Sequence, residues 1–188
     1  MERFGEWSFR GYLPHYSAAS TIQAITFRLA DSLPRSVQAK LGELSLDSFD
    51  LRRKIEKYLD AGHGRSLLSQ FDHATTVSQA LSYFHGDRYA LHAWVIMPNH
   101  VHVLIELLSS FSVGQIVQSW KGFTGRRIAR HEPAFMAEHG RIWQVDYFDR
   151  YIRNERHYRN VVEYIHDNPV KAGLVATSEQ WLWSSRRA

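Results

Sequence analysis

The alternation of apolar and polar residues along the chain predicts four β-strands. In the first of them Ile25, Phe27 and Leu29 share one side, and we expect that side to face a core. The second and third strands are joined through Pro98-Asn99, which is typical of a tight hairpin connection. The predicted strands cover residues 21–31, 88–98, 100–106 and 141–152.

Apolar residues spaced three and four apart predict three helices that follow these strands. The first, DHATTVSQALSYFHGD, ends in a Gly-Asp stop, and the third, NERHYRNVVEYIHDN, is expected to end at Pro169. The second, SVGQIVQSWKGFTGRRIARH, is expected to be irregular at Gly122 and Gly125. Its predicted apolar stripe consists of Ile116, Trp120, Phe123 and Ile128.

Two more helical segments fall between the first and second strands. SLPRSVQAKLGEL begins with a proline-marked turn and is interpreted as a short helix. LDSFDLRRKIEKYLDAGHG has helical spacing at Leu51, Ile55 and Leu59 and stops at two glycines, a common helix terminus. We interpret residues 34–62 as a helical insertion.

The central elements follow the order strand, helix, strand, strand, helix, strand, and then one extra helix. This is the split βαβ order of a ferredoxin-like α+β fold, with an antiparallel sheet and the helices on one face. The chain shows no internal repeat, low-complexity tract or linker, so we predict one domain over residues 1–188. The extra helix at the C-terminal end is an addition to that fold.

Composition limits the chemistry that such a domain can carry. The chain has no cysteine, so disulfides and thiolate metal sites are excluded. There is no apolar stretch of membrane-spanning length, and the first residues do not resemble a signal peptide, so we expect a cytoplasmic protein that does not contact a membrane. The whole excess of +4 lies in residues 120–188, which is compatible with either a polyanion-binding face or plain solubility.

The third strand raises a chemical question, because it is apolar and yet carries two histidines. Side chains alternate between the faces of a strand, so His100 and His102 share one face while Val101 and Val103 share the other. The valine face is expected to be core. On the histidine face, packed or hydrogen-bonded imidazoles and metal ligands both remain possible.

The last helix presents a second set of polar groups. On a helical wheel Tyr158, Val161 and Ile165 cluster on the side that we expect to face the sheet. Tyr164 lies on the flank, where its hydroxyl can reach a cleft while its ring packs against the sheet. The neighbouring polar stripe consists of His157, Asn160, Tyr164 and Asn168.

Two histidines on a strand face together with this tyrosine resemble the single-tyrosine HUH endonucleases, in which U is a hydrophobic residue. More narrowly, the chain is similar to the REP-associated tyrosine transposases, relatives of the single-strand transposases of small insertion sequences. The resemblance covers nearly the whole chain. It is carried by RGYLPH, TFRLADSLP, AWVIMPNHVHVLIE, SWKGFTGRRI, IWQVDYFDRYIRNE and YIHDNPVKAGLV.

The resemblance implies a set of roles for these residues. His100 and His102 would be ligands of Mg²⁺ or Mn²⁺, and Tyr164 would be the nucleophile that forms a 5′-phosphotyrosyl link and leaves a free 3′-hydroxyl. Asn168 would be the third ligand. Because Pro169 disfavours helical geometry there, His166 and Glu106 remain alternatives.

The implied partner is single-stranded or hairpin DNA resembling REP sequences, near the nucleoid. Arg153 is expected to favour the phenolate of Tyr164 and to contact DNA. Two other functions remain open: a single-stranded nucleic-acid-binding protein without cleavage, and a metal-dependent nuclease without a covalent intermediate. The chain could act as a monomer or as a homodimer that supplies Tyr164 across its interface. The other predicted DNA contacts are Lys121, Arg126, Arg127 and Arg130.

Overall fold

The computed structural model describes residues 6–10, 13–17, 20–34, 36–37, 49–108 and 110–187. Most of the short helix predicted within residues 32–44 lies outside these ranges. The strands are β1 Glu6–Arg10, β2 Leu13–Ser17, β3 Ile22–Arg28, β4 Tyr89–Ile96, β5 His100–Leu107 and β6 Phe148–Tyr151. The helices are α1 Phe49–Asp60, α2 Phe71–Tyr83, α3 Val113–Ala129, α4 Pro133–His139 and α5 Glu155–Lys171, with short 3-10 turns at Leu67–Ser69 and Ser178–Gln180.

Four strands form an antiparallel sheet in the order β4-β5-β3-β6. This order confirms the predicted split βαβ arrangement, in which the first and third strands of the motif lie side by side at the centre. In the register of the two central strands, Thr26 of β3 lies opposite His102 of β5. A separate hairpin of β1 and β2 was not predicted, because its five-residue strands are short and one contains Pro14.

The main core lies between the sheet and the crossover helices α2 and α3. Val101 and Val103 of β5 point into it, as their alternation predicts. Phe27 of β3 packs between two indoles, with ring centroids 6.1 Å from Trp120 and 4.9 Å from Trp143. The other predicted core residues of β3, Ile25 and Leu29, are also buried there.

The opposite face of the sheet is covered by α5. Ile165 packs there against Val95 and Leu104, together with the partly buried Tyr158 and Val161. The hydroxyl of Tyr158 is 3.0 Å from His92 Nδ1, and His92 Nε2 is 3.3 Å from a Glu106 oxygen. These bonds fasten the first turns of α5 to β4 and β5. Across the described ranges, no helix is long and apolar enough to span a membrane.

The structure corrects the prediction for α3. The helix runs without interruption through Gly122 and Gly125, and Phe123 is 41% exposed instead of lying in the buried stripe. A Cβ at Gly125 would lie 3.4 Å from Trp143, whose indole nitrogen donates to the Thr124 hydroxyl at 2.9 Å. The indole therefore packs directly against the helix at this glycine, and α3 does not bend there.

Two other elements differ from their predicted extents. The predicted last strand is reduced to β6, because Trp143 forms only an isolated bridge with Leu29 and Val145 is exposed. Helix α5 continues through Pro169 to Lys171, so the expectation that Pro169 ends it was wrong. The backbone N–H of Ala172 donates to the Asn168 carbonyl at 3.0 Å, which closes the last turn despite the missing donor of the proline.

Candidate functional site

The two histidines of β5 converge on the face of the sheet that α5 covers. Both are buried, and their Nε2 atoms are 3.0 Å apart. Two ligands at about 2.1 Å from one octahedral ion, separated by about 90°, are also about 3.0 Å apart. The imidazole pair therefore fits a shared divalent ion without rearrangement of the backbone.

Hydrogen bonds on the far side of each ring hold this arrangement. His100 Nδ1 donates to Asn99 Oδ1 at 2.7 Å, which leaves His100 Nε2 with its lone pair. His102 Nδ1 lies 2.7 Å from the Thr26 hydroxyl, which can donate or accept. In the ion-free protein His102 Nε2–H can donate across the 3.0 Å gap while Thr26 donates to Nδ1. When His102 becomes a ligand, the Thr26 hydroxyl can accept instead, so it supports both tautomers.

Asn99 also links the histidines to α1. Its Nδ2 donates to the carbonyl oxygens of Leu59 and His63, at 3.1 and 3.0 Å. The Asn99 side chain is only 1% exposed, so these bonds are made away from water. One amide therefore fixes both the ring of His100 and the C-terminal end of α1.

Helix α5 supplies the other groups of the site. The ring centroid of Tyr164 is 5.4 Å from that of His102 in an edge-on arrangement. The Tyr164 hydroxyl and both polar atoms of the Asn168 amide are buried; the hydroxyl lies near Asn168 and Glu56, but no hydrogen bond of good geometry satisfies any of the three atoms within the described part of the chain. Buried polar atoms without partners are costly, so these atoms, on the helix that places Tyr164 beside His102, fit a site completed by a bound group.

Carboxylates of α1 and a lysine of α5 surround the tyrosine. Burial, followed by the charges of Glu56 and Asp60, raises the pKa of Tyr164. Burial also raises the pKa of Asp60, and the charge of Lys171 opposes that shift. Lys171 Nζ lies 4.9 Å from the centre of the Tyr164 ring. The phenol therefore rests in its protonated form, with the ammonium group of Lys171 over its ring.

A cleft of about 310 Å³ gives access to this region. It is lined on the sheet side by Thr26 and His102, and on the helix side by Glu56 and Tyr164. No group of three His, Asp or Glu side chains that could hold a metal occurs among the described residues. An ion here would need the amide of Asn168, or non-protein oxygens, in addition to the two imidazoles. The oxygen donors of such a set suit Mg²⁺ and Mn²⁺, and the two imidazole nitrogens favour a transition-metal ion such as Mn²⁺ over Mg²⁺.

The alternative third ligands lie elsewhere. His166 Nε2 is 2.9 Å from the hydroxyl of Ser185, near the C-terminal end of the chain. The Glu106 carboxylate is paired with His92, four residues along β5 from His102. Asn168 stays helical and buried, and it is the candidate that the structure places beside Tyr164. Its role as a ligand remains a prediction.

The basic residues predicted to contact DNA do not gather around the two histidines. Arg153 lies over the ring of Tyr151 at 5.6 Å, so Lys171 takes the position beside Tyr164 that we expected for Arg153. Lys121 Nζ donates to the Val145 carbonyl at 2.6 Å, and burial lowers its pKa to about 8. The exposed arginines of α3 and its end, Arg126, Arg127 and Arg130, lie on the helix layer across the sheet from the imidazoles.

We expect the metal-free protein to lose stability as the pH falls. Burial lowers the pKa of His102 from 6.5 to about 3, and burial and His102 also lower the pKa of His100. Below pH 6.5 the unfolded chain therefore binds protons that the folded chain does not. The free energy of unfolding is thus highest above pH 6.5 and decreases as the pH falls towards about 3. Urea unfolding in EDTA at pH 7 and about pH 5 measures it. A His102→Gln variant should show a smaller decrease, and an equal decrease would contradict the assignment.

Replacing Asn99 should weaken metal binding without removing a ligand. In Asn99→Ala the His100 ring loses its acceptor and α1 loses two bonds, so we expect divalent-ion affinity to fall by roughly 10- to 100-fold. Calorimetric titration with Mn²⁺ measures the change. Asn99→Asp keeps the acceptor for His100 and should retain more affinity than Asn99→Ala. Equal affinities in all three proteins would show that Asn99 does not support the ligand.

Residues 68–168 match the family model described as transposase IS200 like. The chain belongs to this family. The matched region contains both histidines, Tyr164 and Asn168, whereas helix α1 precedes it. Membership also confirms the family resemblance read from the sequence motifs.

Sequence and structure comparisons of this IS200-like transposase family member with known proteins are consistent with that membership. The chain is 30% identical over 98 residues to the REP-associated tyrosine transposase of Escherichia coli strain K12. The aligned region covers 52% of this chain and 54% of that protein. The chain spans about half the length of the curated relatives it matches. A solved structure of a REP-associated tyrosine transposase bound to a REP hairpin matches with a TM-score of 0.56 at 19% identity, covering 100% of this chain and 84% of that one. This likeness supports the fold.

Several residues of the site were not predicted from the sequence. Asn99 directly precedes the first histidine in PNHVH, so its position next to a predicted ligand was a usable signal. Thr26 is found only from the strand register, since 76 residues separate it from His102. Glu56, Asp60 and Lys171 come together through the docking of α1, which no local pattern predicts.

Proposed function

We propose that this protein cuts single-stranded DNA by attack of Tyr164 on a phosphodiester, with a divalent ion held by His100, His102 and Asn168. The observation that carries the proposal is the convergence of the two Nε2 atoms, 3.0 Å apart, beside the unpartnered hydroxyl of Tyr164. When bound, Mg²⁺ or Mn²⁺ would draw charge from the scissile phosphate and favour nucleophilic attack on it.

The residues of the chain would carry the remaining steps. The Tyr164 oxygen forms a bond to phosphorus as the bond to the 3′-oxygen breaks, and the leaving 3′-oxygen takes up a proton from water. The phenolic proton passes to a carboxylate of α1, where Glu56 and Asp60 influence the hydroxyl. Lys171 stabilises the phenolate during the attack. Because the phosphodiester is exchanged and not hydrolysed, a 3′-hydroxyl can reverse the step and rejoin strands.

We propose hairpin DNA with flanking single strands as the substrate. Support comes from the E. coli relative, which is named for REP sequences, and from the REP hairpin in the solved structure of similar fold. The test is incubation of the protein with Mn²⁺ or Mg²⁺ and hairpin DNA from the flanks of its own gene, followed by denaturing electrophoresis. We expect a denaturation-resistant adduct. Cleavage without an adduct would instead indicate a hydrolase. If neither cleaved DNA nor an adduct formed, the proposal would be overturned.

The arginines at the end of α3 are proposed to contact the DNA backbone. In Arg127→Gln/Arg130→Gln we expect weaker binding and a salt dependence reduced by roughly 0.7 to 0.9 log units for each lost phosphate contact. Fluorescence anisotropy over a range of salt concentrations measures the slope. The matched control is Arg159→Gln/Arg186→Gln, which removes two exposed arginines that pair with Glu155 and Glu179. An unchanged slope in the first variant would show that Arg127 and Arg130 face solvent and do not contact the DNA.

A further inference from the structure

A groove with a volume of about 840 Å³ runs between α2 and α3, in the outer surface of the helix layer. The inner sides of these helices pack against the sheet face that carries Val101 and Val103. His100 and His102 lie on the opposite face of the same strand. The groove is therefore separated from Tyr164 by the sheet, and it is not part of the candidate site described above.

Two aromatic rings border this groove without being buried. Tyr83, at the end of α2, is 77% exposed, and Phe123 of α3 is 41% exposed. Neither ring is needed to complete the main core, which is formed by other residues. Exposed rings beside a groove offer flat surfaces on which planar apolar groups can stack, and the bases of an unpaired strand are such groups.

The charge of the groove favours an anionic occupant. Arg126 is the one charged residue among the described residues that line it. Arg127 lies just outside, with its guanidinium 5.6 Å from the centre of the Phe123 ring. The polar lining groups are amides and hydroxyls, from Gln79, Ser82, Gln118 and Ser119. Aromatic faces next to guanidinium groups are the combination that holds bases and phosphates of a single strand.

Gly122 lies at the edge of the groove. It lies inside the uninterrupted helix α3, where glycine is less favourable than alanine. A Cβ at this position would meet only Arg126 Nη1, at 3.5 Å, which is an ordinary contact. Internal packing therefore does not require a glycine here. Its missing side chain leaves the edge of the groove open along α3.

We propose that this groove binds an unpaired segment of DNA, with bases stacked on Tyr83 and Phe123 and phosphates held by Arg126 and Arg127. The choice of DNA as the ligand rests on the proposed function. The segment in the groove is different from the one cut at Tyr164, because the sheet lies between the two places. The protein would thus hold two stretches of single strand at once.

Photocrosslinking tests the position of the strand directly. The probe is an oligothymidylate of about 16 nucleotides, the upper range of site sizes for single-strand binders, with 5-iododeoxyuridine at internal positions. The full chain is irradiated with it in EDTA, and crosslinked peptides are identified by mass spectrometry. We expect crosslinks at Tyr83 or Phe123. Crosslinks found only outside the groove would overturn the proposal.

Affinity measurements on variants complete the test. Phe123→Ala removes a stacking surface, and Gly122→Leu places a bulky side chain at the edge of the groove without loss of helix propensity, so each should weaken oligothymidylate binding by roughly fivefold or more. Phe123→Tyr should bind normally, as should Phe71→Ala, which removes a 64% exposed ring outside the groove. Normal affinity in both groove variants overturns the proposal, and so does a change confined to self-association in analytical ultracentrifugation. The assay needs neither metal nor Tyr164, so its outcome is independent of adduct formation.

Discussion

Tyr164→Phe is expected to bind hairpin DNA and Mn²⁺ as the wild-type protein does and to form neither nick nor adduct. The substitution removes only the atom that would bond to phosphorus. That hydroxyl is buried, and no hydrogen bond of good geometry satisfies it among the described residues, so its loss should change the free energy of unfolding by about 1 kcal/mol or less. Denaturing electrophoresis measures the adduct, and urea unfolding measures the stability.

Tyr158→Phe and Tyr151→Phe are the matched controls for this prediction. The Tyr158 hydroxyl is 3.0 Å from His92, so its removal should lower stability by about 1 kcal/mol while the adduct still forms. Tyr151 lies in β6, with Arg153 over its ring, and its phenylalanine variant should also retain the adduct. Peptide mapping of the wild-type adduct decides the matter. A phosphotyrosyl link at Tyr151 or Tyr158 would show that Tyr164 is not the nucleophile.

His100→Ala and His102→Ala should each abolish cleavage while largely sparing the binding of hairpin DNA. In the proposed site each imidazole would supply one of two converging nitrogen ligands, and the remaining one cannot replace it, so we expect the cleavage rate to fall at least about a hundredfold. DNA affinity comes mainly from phosphate contacts and should change little. Single-turnover cleavage and anisotropy measure the two effects separately.

The control for the histidine variants is His131→Ala, which removes an exposed imidazole beyond the end of α3. It should cleave normally. Retained DNA binding in His100→Ala and His102→Ala would show that these proteins remain folded despite the loss of a buried side chain. Full cleavage by either variant, in buffer containing Mn²⁺, would show that the two histidines are not part of the catalytic site.

The sequence predicted the parts of the site that follow from local periodicity. Period-two alternation placed His100 and His102 on the face opposite Val101, and the helical wheel placed Tyr164 on the flank of α5. Phe123 was misassigned because a helical stripe does not distinguish a buried position from one at the edge of the packed surface. Pro169 was taken as a stop because local rules ignore the packing that carries the helix two residues further.

Other parts depended on contacts between distant segments. The position of Thr26 opposite His102 follows from the pairing of β3 with β5, and that of Glu56 and Asp60 beside Tyr164 follows from the docking of α1. Neither leaves a periodic signal in the sequence. The order of elements was enough for the topology, because a split βαβ sequence has few ways to form an antiparallel sheet.

The order of strands in the sheet also determines when the site can exist during folding. Thr26 pairs with His102 on one side and with Phe148 on the other, so β3 finds its two neighbours only after long stretches of chain have closed into loops. Such non-local pairing is slow compared with the formation of helices. The helix that carries Tyr164 follows the last of these strands. A growing chain therefore contains both imidazoles long before it can present the phenol to them.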